Sequence, residues 1–285
     1  MSTATAAARA IGVFDSGVGG LTVLRALRSA LPDEAYIYLG DTARLPYGTK
    51  SEHTVVRYAL QAADELVARD VKCLVIACNT AAAAALPAMR ERYADLPVIG
   101  VIEPGARAAC ELSGTGRILV LATESTVRGG AYPRAIRALN ARAQVTTLAC
   151  TLFVALAEEG WTQEAAARAV AERYLGFLRE APAATAPDTL LLGCTHFPVL
   201  AEAISAVAGE RLRCVDSALS TARAVRSLLR EAQLLRTPSA LQDPAPGPRS
   251  ALQFLATDGT ERFAKVGERF LGEPIDAAAV DLIDL

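Results

Sequence analysis

The chain has 285 residues, 52% of them hydrophobic, enough to bury one large core or two modest ones, and two domains is the expectation. Its 29 basic and 31 acidic residues leave a formal charge of −2, with none of the one-signed field that would draw nucleic acid or anionic lipid; a small solute is the expected partner. No apolar run reaches the roughly 18 residues that would span a bilayer, Met1 to Ala6 lacks the basic start and apolar core of a secretory leader, and the cytoplasm is the expected compartment.

Short apolar runs alternate with longer helix-patterned stretches, the pattern of an α/β chain with mainly parallel sheets. Strands are expected to begin near residues 10, 35, 72, 97, 117, 144, 188, 212 and 252. The first ends in the loop Asp15-Ser16-Gly17-Val18-Gly19-Gly20, ahead of a helix over Leu21 to Leu31. Its glycines let backbone approach a ligand. The missing third glycine and the Asp15 carboxylate, which would repel a phosphate, make a nucleotide-binding reading weak. The carboxylate fits an ammonium group or a thiol; a plain glycine turn capped by Asp or Ser explains the loop as well.

The second strand closes in Gly40-Asp41-Thr42-Ala43-Arg44-Leu45-Pro46-Tyr47-Gly48, which offers backbone N–H groups to a carboxylate or serves simply as a turn. The helix over Ser51 to Arg69 repeats Val55, Val56, Ala59, Leu60, Ala63, Leu66 and Val67 at 3–4 residue spacing and covers one sheet face. Two strand-like runs then end on cysteines, Leu74 to Cys78 followed by Asn79-Thr80 and Leu190 to Cys194 followed by Thr195-His196. Each thiol is expected where a strand hands over to a helix N-terminus, a place that favours thiolate.

These features recur: Cys194 follows Cys78 by 116 residues, and Thr123, after Ile118 to Ala122, stands 108 residues after Asp15. The offsets suggest two similar α/β domains, pseudo-twofold related, with the active site in the cleft between them. Crossovers near Gly100 to Pro104 and Val215 to Ala218 place residues 1–103 and 218–285 in a discontinuous first domain and 104–217 in the second. The proline-rich stretch 237–248 reads as an exposed linker. A strand over Leu252 to Thr257 and a helix over Thr260 to Leu271 complete the first domain.

Six cysteines (73, 78, 110, 150, 194 and 214) without any Cys-x-x-Cys, beside only His53 and His196, point to free thiols and to no metal site. Cys73, Cys110 and Cys214 read as small buried hydrophobes. Two matched thiols facing one substrate from opposite sides form the geometry for inverting a stereocentre. Removing an α-proton beside a carboxylate without a cofactor requires a localised base, exclusion of water and stabilisation of developing charge. His196 is placed to relay a proton for Cys194, and Asp15 for Cys78 if their strand ends adjoin. A thiol hydrolase using Cys194 and His196, or an amino-acid sensor, stays open on these residues alone.

Taken together, Phe14 to Gly20, Gly40 to Arg44 with Pro46-Tyr47-Gly48, Ala77 to Thr80, Ile102-Glu103-Pro104 and Gly193 to His196 resemble the glutamate racemase family of the aspartate/glutamate racemase superfamily. The resemblance implies interconversion of L- and D-glutamate with no cofactor or metal, for peptidoglycan synthesis. It implies Cys78 as the base toward D-glutamate and Cys194 as the base toward L-glutamate. It also implies Asp15, His196 and Glu158 as their assistants, and Asp15, Ser16, Pro46, Tyr47, Gly48, Asn79, Thr80, Thr123, Thr126, Thr195 and His196 around the substrate. A homodimer is compatible with it, as is an aspartate or other amino-acid racemase of the superfamily. Thr151 and Gly129 depart from the family's usual proline and serine, which bears on the wall containing Thr123 and Thr126.

Overall fold

A computed structural model describes residues 6–182, 184–236 and 252–285, so the proline-rich stretch 237–248 lies outside the described residues. The first half of the chain supplies β1 (Ile11–Asp15), β2 (Tyr36–Gly40), β3 (Cys73–Ile76) and β4 (Val98–Gly100); the second supplies β5 (Arg117–Ala122), β6 (Gln144–Ala149), β7 (Thr189–Gly193) and β8 (Arg213–Asp216). Two further strands, β9 (Leu252–Ala256) and β10 (Val280–Leu282), follow. Nine strands start within one residue of their expected positions. β10 was not anticipated, because three residues are too few to show a period; it pairs with β9 through Val280 and Phe254.

Every strand pairing among the described residues is parallel. One sheet has the order β10-β9-β2-β1-β3-β4 and the other β6-β5-β7-β8. The core order β2-β1-β3-β4 is thus repeated four strands later, so β1 corresponds to β5 and β3 to β7. The weak sequence repeat is a repeat of topology. β1, β2 and β3 are buried along their whole length, as expected for strands covered on both faces, and this is why they read as unbroken apolar runs.

In each sheet the chain leaves the central strand toward one side and returns on the other. Such a switch point opens a crevice at the carboxyl ends of the strands. In the first sheet it lies between β1 and β3, ahead of Ser16 and Cys78; in the second it lies between β5 and β7, ahead of Thr123 and Cys194.

The helices are α1 (Leu21–Ala30), α2 (Glu52–Ala68), α3 (Asn79–Arg92), α4 (Ile102–Leu112), α5 (Glu124–Gly129), α6 (Ala131–Leu139), α7 (Leu152–Glu159), α8 (Ala165–Leu175), α9 (Ala201–Ala208), α10 (Ser217–Glu231) and α11 (Thr260–Leu271). α2 starts at an N-cap, Ser51, whose side chain accepts from Thr54 N, with Glu52 in the first turn to complement the helix dipole. It buries Val55, Ala59, Ala62, Ala63 and Leu66, one face at helical spacing. Truncating a fully buried position such as Leu66 to Ala costs about 2–5 kcal/mol.

Two helices carry the chain between the sheets. α4 follows β4 yet packs on α6, β7 and β8, while α10 follows β8 and packs on both α1 and α4. No helix among the described residues is long and apolar enough to cross a membrane.

Candidate active site

The carboxyl ends of the two sheets enclose a cavity of about 270 Å³. The first half contributes Ser16, the loop Leu45 to Thr49, Cys78, Asn79 and Thr80; the second contributes Thr123, Thr151, Val154, Ala155, Glu158, Cys194, Thr195 and His196. Both thiols therefore line one space from corresponding strand ends.

Cys78 caps α3, as its position in the sequence implied. Its Sγ accepts from Ala81 N and donates to Ser16 Oγ, each at 3.4 Å. Burial, reinforced by the Asp15 carboxylate, pushes this thiol up to about 12, so the unliganded protein holds it protonated.

Cys194 differs from the expectation. The residues after it form a 3₁₀ turn, Phe197–Leu200, before α9 begins. Pro198 has no N–H to donate to the Cys194 carbonyl, which instead accepts from Phe197 N at 3.1 Å. The Cys194 thiol meets a side chain instead: His196 Nδ1 lies 3.9 Å from Sγ, and Nε2 lies 3.1 Å from Glu158 Oε1. Burial works against an imidazolium here, but the bonds to Cys194 and Glu158 outweigh it and raise His196 to about 10. Burial likewise opposes the Glu158 anion, yet His196 and Arg262, whose Nη2 is 3.2 Å away, hold its carboxyl below the ordinary value.

Asp15 ends β1 beside β3, so the two strand ends adjoin. Its carboxylate is buried behind the cavity wall and accepts from Gly17 N at 2.9 Å; burial raises it above the ordinary carboxylate range despite the His196 charge and these backbone bonds. The hydrogen-bonding partner of the Cys78 thiol is Ser16 rather than Asp15.

Thr80, Thr123 and Thr126 form a triangle of hydroxyls 3.0 to 3.2 Å apart. Thr80 and Thr123 line the cavity, whereas Thr126 stands behind them. Tyr47 lines it too, but its hydroxyl donates to Asp41. Asp41 also accepts from Arg44 Nε at 2.7 Å and Thr257 Oγ1 at 3.0 Å. This buried carboxylate ties Arg44 and Tyr47, on either side of Pro46, to Thr257.

Five cavity residues, Leu45, Thr49, Thr151, Val154 and Ala155, were not among the expected site residues, the last two lying on α7. The spacing of Val154 and Ala155 from Glu158 along α7 puts them on the same helix face, and that was the available signal. Tyr132, on α6, donates from its hydroxyl to Asn79 Oδ1 at 2.7 Å and was also missed. Among the described residues no group of three or more His, Cys, Asp or Glu is placed to hold a metal ion.

The sequence profile of the Asp/Glu/hydantoin racemase family matches residues 11–225. A glutamate racemase of Geobacter metallireducens is 50% identical over 93% of each chain. A solved structure of the glutamate racemase of Francisella tularensis in complex with D-glutamate superposes with a TM-score of 0.87 at 35% identity, covering 98% of both chains. That of Thermus thermophilus, in complex with β-chloro-D-alanine, superposes with a TM-score of 0.82 at 42% identity and the same coverage. With this match over most of its length and the repeated switch points that carry the two cysteines, the chain belongs to the Asp/Glu/hydantoin racemase family, together with these glutamate racemases.

Proposed function

We propose that this protein interconverts L- and D-glutamate, with Cys78 and Cys194 as the two acid/base groups. The observation that supports the reading is the pair of thiols lining one small cavity from corresponding strand ends.

In one direction the Cys78 thiolate takes the Cα proton of D-glutamate, and the electron pair delocalises into the α-carboxylate. The Cys194 thiol then delivers its proton to the opposite face, giving L-glutamate and a Cys194 thiolate. The reverse direction exchanges the roles. The burial that holds Cys78 protonated suits it as donor; as base it acts with the substrate ammonium nearby, whose positive charge lowers the thiol. The His196 imidazolium stabilises the Cys194 thiolate, and Glu158 sustains that imidazolium. Ser16, Asn79, Thr80, Thr123, Thr195 and the Pro46-Tyr47-Gly48 backbone hold the substrate, with Asp15 and Thr126 supporting them from behind.

In this reading residues 1–103 and 218–285 form the first domain and 104–217 the second, the protein works in the cytoplasm, and its D-glutamate feeds peptidoglycan synthesis. Circular dichroism with L-glutamate, D-glutamate and L-aspartate tests it. Loss of optical activity from both glutamate enantiomers supports the reading; turnover of aspartate in preference to glutamate contradicts it.

A further inference from the structure

Asn79 is 3% exposed and lines the cavity beside Cys78, yet its amide Nδ2 has no hydrogen-bond partner. A buried donor without an acceptor is costly. The other end of the same amide is already engaged, because Tyr132 donates to Oδ1 at 2.7 Å. Burial pushes the Tyr132 phenol well above its ordinary value, so it keeps its proton as a donor.

The Tyr132 ring is just as closely placed. A Cβ on Gly193 would stand 2.8 Å from Tyr132 Cε2, and one on Gly105 would stand 3.3 Å from the hydroxyl. Gly193 immediately precedes Cys194. One side chain therefore packs its ring against the Cys194 turn and bonds its hydroxyl to the residue after Cys78, spanning the two halves of the site.

We propose that Tyr132 is a positioning residue: by occupying Asn79 Oδ1 it turns the Asn79 NH2 group toward the substrate as a donor, which pairs with a carboxylate and not with an ammonium. The inference rests on the racemase reading above and deepens it. With Oδ1 taken, Asn79 cannot face the substrate ammonium with an acceptor, so the amide distinguishes the two ends of the amino acid's head group. Without the Tyr132 hydroxyl the amide is free to rotate and that distinction is lost.

The test is steady-state racemisation from both enantiomers by the unaltered protein and by Tyr132→Phe, Asn79→Asp, Asn79→Ala and the double variant Tyr132→Phe/Asn79→Ala. Tyr132→Phe keeps the ring against Gly193 and is expected to raise KM by about 10-fold, the scale of one hydrogen bond to a charged group, with kcat within about 3-fold. Asn79→Asp keeps an acceptor for Tyr132 but replaces the donor with a like charge, so KM is expected to rise by roughly 100-fold. In the Asn79→Ala background, Tyr132→Phe is expected to add nothing, because both act through one amide. A purely structural role for Tyr132 would lower Tm without moving KM.

Unchanged KM in folded Tyr132→Phe overturns the proposal, as does a full additive effect in the double variant. Should Tyr132→Phe fail to fold, an unchanged KM in Asn79→Asp overturns it instead. No racemisation of glutamate by the unaltered protein overturns the racemase reading and the proposal together, whereas normal turnover with unmoved variants overturns the proposal alone.

Discussion

Glu158 Oε1 accepts from His196 Nε2 at 3.1 Å, leaving the other ring nitrogen to face Cys194. The carboxylate helps raise His196 to about 10. Replacing Glu158 by Gln removes the anion, so the imidazolium is lost at lower pH. The alkaline limb of kcat/KM is expected to move down by about 1–3 pH units, measured as a pH profile from pH 6 to 11. An unmoved limb would separate Glu158 from the titration of His196.

The same pair sets a pH dependence of stability. A basic group whose folded value is raised from 6.5 to about 10 contributes stability that is fully present below about 6.5 and is lost as pH rises through about 10. Chemical denaturation across that window is expected to show stability falling with pH, and falling less in Glu158→Gln.

Gly19 sets the approach of the first half to the second. A Cβ there would lie 2.5 Å from His196 Cε1 and 2.6 Å from Thr195 Oγ1, and it would press on His196 Nδ1 as well. Gly19→Ala is therefore expected to push His196 from Cys194 and to lower kcat by roughly 100-fold, the scale of a misplacement near 1 Å. Steady-state kinetics beside a melting curve checks this. A stable variant with full activity would show that the two halves tolerate a wider gap.

Asp41 is fully buried and accepts from Arg44, Tyr47 and Thr257. Asp41→Ala removes the anionic partner of the half-buried Arg44 guanidinium, which keeps Gln61 Oε1 at 2.6 Å, and is expected to cost about 3 kcal/mol in denaturant unfolding. Asp41→Asn keeps the shape and is expected to cost less while raising KM, because the Pro46-Tyr47-Gly48 loop shifts. A neutral Asp41→Ala would mean that the stacking of Arg44 on Tyr58, 4.3 Å to the ring centroid, and its bond to Gln61 hold the loop without the carboxylate.

The sequence was most legible where burial is continuous. β1, β3 and β7 are covered on both faces, so their apolar runs marked the strand ends that carry Asp15, Cys78 and Cys194. The spacing of Val55, Ala59 and Leu66 set α2 to within a residue at each end. What stayed hidden depends on single side-chain partners that apolar periodicity does not mark. Tyr132 meets Asn79 across 53 residues, and the space for its ring exists because position 193 is a glycine. The fate of the Tyr47 hydroxyl is decided by Asp41, and the 3₁₀ turn after Cys194 by a proline four residues on, which the resemblance of the two cysteine segments concealed.

The central claim is that two different thiols exchange protons with opposite faces of one carbon. It is tested most directly by running the reaction in deuterium oxide from L-glutamate and, separately, from D-glutamate, and locating deuterium at Cα by NMR at low conversion. The account predicts deuterium at Cα of the product enantiomer in both directions, with the remaining substrate still carrying protium. Product that retains the substrate's own proton, or deuterium appearing equally in unreacted substrate, would indicate a single base and contradict it.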